Sequence, residues 1–136
     1  MTDIFVAGHA LIEHEGKYLI TLRSKNSDYK PLFWDLPGGI VKAGESIYET
    51  IEREVKEETN LDIEIEKVIY VYSNNDQLPV RQTFQIVYSC KYIGGIIQLN
   101  PNEHDSYVWF NYSEISKLKT IDFLTNLLRE VKTPKN

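Results

Sequence analysis

Two apolar, β-rich runs open the chain, residues 4–13 and 18–23, divided by the polar stretch His14-Glu15-Gly16-Lys17. Such a pair around a short Gly-containing connection predicts a hairpin. Residues 24–31 are polar with turn formers throughout, which predicts a loop. A short apolar piece, Trp34 to Leu36, then meets Pro37-Gly38-Gly39, which is expected to stop any regular element. From Ser46 the period changes. Ile47, Ile51 and Val55 recur at four-residue intervals, and Ser46 with Glu49 has the spacing of a capping box. This helix should end near Thr59, leaving Asn60 in the left-handed position where asparagine is second only to glycine. Alternation returns over residues 63–73 and 82–93, two expected strands around a polar loop at 74–81. Residues 107–110 read as a short aromatic strand. A last helix is expected over 121–131, with Ile121, Leu124, Leu127 and Leu128 as its apolar stripe, and residues 132–136 as a frayed tail. Strands with two separated helices predict an α/β layered domain.

Composition narrows the function classes. A chain of 136 residues, 42% of them hydrophobic, suits one domain with a real core. Its formal net charge of −5, with no dense Lys/Arg run, argues against a nucleic-acid polymer as partner, because that binding rests on neutralising phosphates. The single cysteine, Cys90, excludes an internal disulfide and a Cys-based zinc framework. No apolar run approaches the roughly 18 residues of a membrane span, and the N-terminus lacks the pattern of a secretion signal. The expectation is one soluble, cytoplasmic domain over residues 1–136, without a membrane partner. A homodimer is compatible with the sequence, but nothing marks an interface.

The informative anomaly lies on the central helix. At about 100° per residue, Glu54 and Glu58 project within about 40° of the line through Ile47 and Ile51, and Glu57 falls on the adjacent flank. An ordinary surface helix keeps its charges away from its apolar stripe. Here the stripe is aliphatic in its first half and acidic in its second. Carboxylates at i, i+3 and i+4 repel one another, so a cation belongs between them. Hard oxygen ligands of this kind suit Mg²⁺ or Mn²⁺, which binds through a few carboxylates plus substrate phosphates. An acidic patch taken alone is ordinarily just a solvated face. The upstream context changes that, because Gly38-Gly39 is a turn that can approach phosphate oxygens closely.

Gly39, Glu45, Arg53, Glu54, Val55, Glu57, Glu58 and Leu61 stand at the spacing G-x5-E-x7-R-E-U-x-E-E-x-G-U, where U is a bulky aliphatic. Residues 39–61 therefore resemble the Nudix box. The one departure is Asn60 in place of the last glycine, a structural position that leaves every carboxylate intact. The lead-in Trp34-Asp35-Leu36-Pro37-Gly38-Gly39 is also similar to that of the family. The resemblance implies a Nudix α/β/α sandwich, a mixed central sheet flanked by the box helix and a C-terminal helix.

The resemblance also implies a metal-dependent hydrolase of a nucleoside diphosphate linked to another group. By it, Glu54, Glu57 and Glu58 hold Mg²⁺ (or Mn²⁺), and the backbone of Gly38 and Gly39 lines the metal and phosphate site. Glu103, in the acidic stretch before Trp109, is a further ligand or base. The general base is Glu54 or Glu103. Arg53 orients a glutamate, and Glu45 makes a distant, water-mediated contact. The compact length resembles mutator-type enzymes, which favours a (deoxy)nucleoside triphosphate, such as an oxidised purine like 8-oxo-dGTP, cleaved to monophosphate and pyrophosphate. ADP-ribose, a nucleotide sugar or a dinucleotide is the alternative within the family, and a non-catalytic nucleotide sensor the alternative outside it. Phe33, Tyr72, Asn74, Arg81 and Asn111 are the candidates for the small-molecule nucleotide pocket, with aromatic rings to stack a base and Arg81 to take a phosphate. His9 and His14 read as structural, His104 as a site candidate beside Glu103, and Trp109 as packing beneath the site.

Overall fold

The computed structural model describes residues 1–131, so the expected tail at 132–136 lies outside the described residues. The spine is the long first strand, β1 (Asp3–His14). One of its edges pairs in parallel with β6 (Arg81–Gly94) from Asp3↔Arg81 to Glu13↔Lys91, and β6 pairs antiparallel with β5 (Asp62–Asn74). The other edge of β1 takes two partners in turn. It meets β4 (Gly38–Ile40) at Ala7 to His9 and β2 (Lys17–Arg23) only at Glu13 and His14. β2 then diverges to pair with β7 (His104–Phe110) and with the two-residue β3 (Trp34–Asp35). The expected hairpin is therefore a short junction from which the sheet splays. Gly38 and Gly39, expected to end regular structure, form a strand instead, because β1 offers a free edge there once β2 has turned away.

Helices cover both faces. Alternate residues of β1 point to opposite sides, so Leu11 joins one core while Ala10 and Ile12 join the other. Ala10, Ile12, Leu19 and Cys90 pack against Ile51 and Val55 of helix α1 (Ile47–Thr59). On the far face, Leu11, Ile20 and Val87 pack with Phe123, Leu124 and Leu127 of helix α3 (Asp122–Glu130). Burial pushes the Cys90 thiol up to about 12, which suits a packing role. A four-residue helix α2 (Tyr112–Ile115), absent from the sequence reading, precedes α3.

The box helix forms for local reasons. The Ser46 hydroxyl accepts from the Glu49 N–H at 3.1 Å, and the Glu49 carboxylate accepts from the Ser46 N–H at 2.8 Å, a complete capping box. At the other end Asn60 adopts φ 67°, ψ 14° and donates its N–H to the Lys56 carbonyl at 3.0 Å. Asparagine thus supplies the left-handed turn that glycine supplies elsewhere. Both ends being fixed, the phase of the helix against the sheet is fixed too, and with it the direction of Glu54 and Glu58.

Candidate functional site

Strand β4 runs beside the second half of α1 with no room between them. A Cβ on Gly39 would overlap the Oε2 atom of Glu54, and one on Gly38 would sit 2.7 Å from Cα of His9. Gly39 thereby lets the Glu54 side chain lie flat against β4, and Gly38 lets β4 lie close against β1. The Glu58 carboxylate is 3% exposed and lies beside the Gly38 backbone, whose N–H favours its charged form. Glu54 sits just outside it. Together with Arg23, Asp35, Gly38, Glu103 and His104, the two glutamates line a cavity of about 410 Å³.

The electrostatics of this cavity are one-sided. Burial, followed by the charges of Glu54, Glu103 and Asp35, pushes Glu58 well above the usual carboxylate range. Glu54 is pushed up to about 7, chiefly by burial and then by its hydrogen bond with Glu57, with Arg53 pulling the other way. His104 gives no relief. Its Nε2 lies 3.8 Å from Glu58 Oε1, burial lowers its pKa, and its Nδ1 has no partner among the described residues. The pocket is short of positive charge.

Arg53 shows how the arrangement is held. Its Nε and Nη2 donate to the two oxygens of Glu45 at 2.7 and 3.0 Å, a bidentate pair. Its Nη1 donates to Glu54 and to Glu57, each at 3.2 Å. Glu45 also accepts from the Lys42 N–H and the Thr50 hydroxyl, and its pKa falls to about 2, first because of the Arg53 bonds. Glu45 thus buttresses Arg53, which in turn holds Glu54 and Glu57. Glu57 stands half-exposed at the lip rather than lining the cavity. Glu103 is an exposed loop residue on the opposite wall, placed when its carbonyl accepts from the Ser24 N–H at 3.0 Å.

A second cavity of about 260 Å³ adjoins the first and shares Arg23, Tyr29, Asp35 and Gly38 with it. Asn74 and Arg81 line it. The other three pocket candidates do not, and the sequence reading is corrected for each. Phe33 lies outside, with Lys119 and Lys30 ammonium groups 4.4 and 5.3 Å from its ring centre. Tyr72 packs on the core beneath α3. Asn111 caps α2, its side chain accepting from the Glu114 N–H at 2.9 Å. Trp109 packs under α1 against the core cluster, and the His14 ring rests near it at the sheet end.

Sequence reasoning missed Arg23, Asp35 and the lining role of His9. Asp35 is 4% exposed; it accepts from the Leu36 N–H at 2.7 Å and from Arg23 Nη1 at 3.0 Å. The signal was an acidic residue inside an apolar lead-in, Trp34-Asp35-Leu36, and a buried carboxylate needs a partner. Arg23 closes the strand that faces it.

Among the described residues, no group of three or more His, Cys, Asp or Glu side chains is placed to hold a metal ion.

The chain is similar to several known proteins. A protein named ADP-ribose pyrophosphatase from Methanocaldococcus jannaschii is 34% identical over 83% of this chain, which spans 65% of that relative's length. A MutT-like protein from Streptomyces ambofaciens is 29% identical over 85% of the chain and 68% of its own length. The crystal structure of a MutT protein from Methanosarcina mazei superimposes with a TM-score of 0.81 at 30% identity, covering 97% of this chain and 98% of that one. The model of the NUDIX domain matches residues 4–131, from the first strand through α3, and the chain belongs to the NUDIX domain family.

Proposed function

We propose that this protein is a Mg²⁺-dependent pyrophosphohydrolase of nucleoside diphosphate derivatives, acting on a (deoxy)nucleoside triphosphate to give monophosphate and pyrophosphate. The observation that carries the proposal is a pair of carboxylates, Glu58 buried and Glu54 partly buried, facing one cavity beside the Gly38-Gly39 backbone. Such a pair is costly unless a cation joins it. The donors are all oxygens, as hard divalent ions prefer. Glu58 and Glu54 would hold the metal with the Gly38 backbone, and Glu57 and Glu103 could reach it from the lip and the opposite wall. When bound, the ion supplies Lewis-acid polarisation of a phosphoryl oxygen and a lowered water pKa.

The chain's own residues do the rest. Arg53 fixes the direction of Glu54, whose carboxylate points into the cavity and accepts the proton of the attacking water. Glu103, on the opposite wall, is the alternative acceptor of that proton. Arg23 is the one Lys or Arg side chain lining the cavity among the described residues. With Asp35 and Ser27 holding its guanidinium, it is oriented to bind a phosphate oxygen. The second cavity then takes the nucleoside.

The name of the Methanocaldococcus relative favours ADP-ribose as a second reading. A screen of nucleoside triphosphates, oxidised purine triphosphates, ADP-ribose, nucleotide sugars and dinucleotides, with Mg²⁺ and with EDTA, separates the two. Metal-dependent release of pyrophosphate from a triphosphate supports the proposal. Turnover of ADP-ribose alone moves the substrate. Binding without turnover of any compound makes the protein a sensor.

A further inference from the structure

Helix α1 covers only part of the sheet face on which it packs. Gly8 of β1 marks the limit, since a Cβ there would come within 2.8 Å of Ile51 and 3.0 Å of Ile47, the first residue of the helix. Alternation carries the same face of β1 on to Val6 and Ile4. In β6, Ile86 stands opposite Gly8, Phe84 opposite Val6 and Gln82 opposite Ile4. β5 extends this face on the far side of β6. Its register slips between Val68 and Tyr70, so Val68 and Val71, three residues apart, oppose Tyr88 and Ile86, two apart. The bulge turns both valines to this face. Tyr70 and Tyr72 turn the other way, onto the core beneath α3.

The result is an apolar surface across three neighbouring strands, beyond the reach of α1. Ile4, Val71 and Val68 are 64%, 57% and 49% exposed, and Phe84 and Ile86 lie half-buried between them. Tyr48 of α1, its ring 5.4 Å from that of Tyr88, bounds the surface at one end. Gln82, Ser73 and Asn75, hydrogen-bonded to one another, bound it at the other. Between these limits no strand position on this face carries a charge. Roughly 500 Å² of it is open, which with a polar rim approaches the ~800 Å² that each partner gives to a standard interface.

Charge and edge geometry choose the occupant. With a formal net charge of −5, two copies of the chain repel over most approaches, and a charge-free face is where they can meet. Such a face opposes itself without like-charge contact, as a two-fold contact requires. Strand addition along the free edge of β5 is the other route to association here. Slips in register after Ile65 and after Val68 interrupt that edge and disfavour it. We propose that the protein forms a two-fold dimer, packing this face of β1, β6 and β5 on the same face of a second copy, sheet on sheet. The dimer stands apart from the catalytic reading, since none of these apolar side chains lines either cavity described above.

Sedimentation equilibrium of the full chain from about 1 to 100 µM reads the association. It is run on wild type, Val71→Lys, Ile4→Glu and, as a control outside the face, Ile96→Lys, where the native side chain is also exposed. All three substitutions fall on exposed side chains, so the fold should hold, and circular dichroism checks it. Wild type dimerises within this range. Val71→Lys and Ile4→Glu each weaken the dimer by at least about 10²-fold, because each buries a charge in an apolar interface. Ile96→Lys associates like wild type. A wild type that stays monomeric throughout overturns the inference, even if it then binds lipid vesicles or another protein. So does a dimer that survives both face variants, or one lost equally in Ile96→Lys.

Discussion

Replacing Glu54 with glutamine should stabilise the metal-free protein at alkaline pH and leave it unchanged at acid pH. Glu54 is pushed from 4.5 up to about 7 in the folded chain, first by burial, and its side chain is only 15% exposed. A carboxyl whose folded pKa is raised contributes stability below its unfolded value, and that contribution is lost as pH rises through the folded value. The window is therefore pH 4.5 to 7. The displacement corresponds to at most about 3 kcal/mol, less what the partial exposure and the Arg53 charge screen, at 1.36 kcal/mol per pH unit. Glutamine has no charge to strand and can still accept from Arg53. Urea unfolding in EDTA at pH 5 and pH 8 reads the difference directly. Wild type should lose roughly 1–3 kcal/mol relative to Glu54→Gln between the two pH values, and saturating Mg²⁺ should restore it to wild type alone. Parallel pH dependence of the two proteins, or a variant less stable than wild type at pH 8, would refute the argument that an uncompensated charge is buried here.

Other substitutions probe the scaffold around that charge. Gly39→Ala puts a methyl group onto the position of Glu54 Oε2; turnover should fall about 10²-fold, the cost of a misplacement near 1 Å, while the melting temperature barely moves. Arg53→Met releases Glu45, Glu54 and Glu57 together. Turnover should fall while KM changes less, and the acidic limb of the pH–rate profile should move upward, because Arg53 lowers the Glu54 pKa. Ser46→Ala removes half of the capping box and should cost about 1 kcal/mol of stability with kcat/KM unchanged.

What could be read from the chain follows from how local each determinant is. Helix α1 was legible because its cap, its four-residue apolar period and its end at Asn60 all lie within one stretch, and the acidic half of its stripe was legible for the same reason. Strand β4 was not, because Gly38 and Gly39 disfavour a strand locally; the partner is an edge left open thirty residues away in sequence. Asn111 carries a cap signal, with Glu114 three residues on, and its side chain is spent on that cap rather than on a pocket. The bidentate pair of Glu45 with Arg53 was not legible either, since eight residues separate the carboxylate from the guanidinium. The second cavity was the least legible part. His9, Gln85 and Phe123 come from β1, β6 and α3, and only the parallel register of the first two and the crossing of the third bring them together.

In the proposed reaction the buried Glu58 carboxylate holds the catalytic metal. Single-turnover hydrolysis of the best substrate in Mg²⁺, compared between wild type and Glu58→Gln, probes that role. Turnover should fall by at least about 10²-fold, with the variant folded and, in EDTA at pH 8, no less stable than wild type. Wild-type turnover in Glu58→Gln, with the same dependence on Mg²⁺, would contradict it.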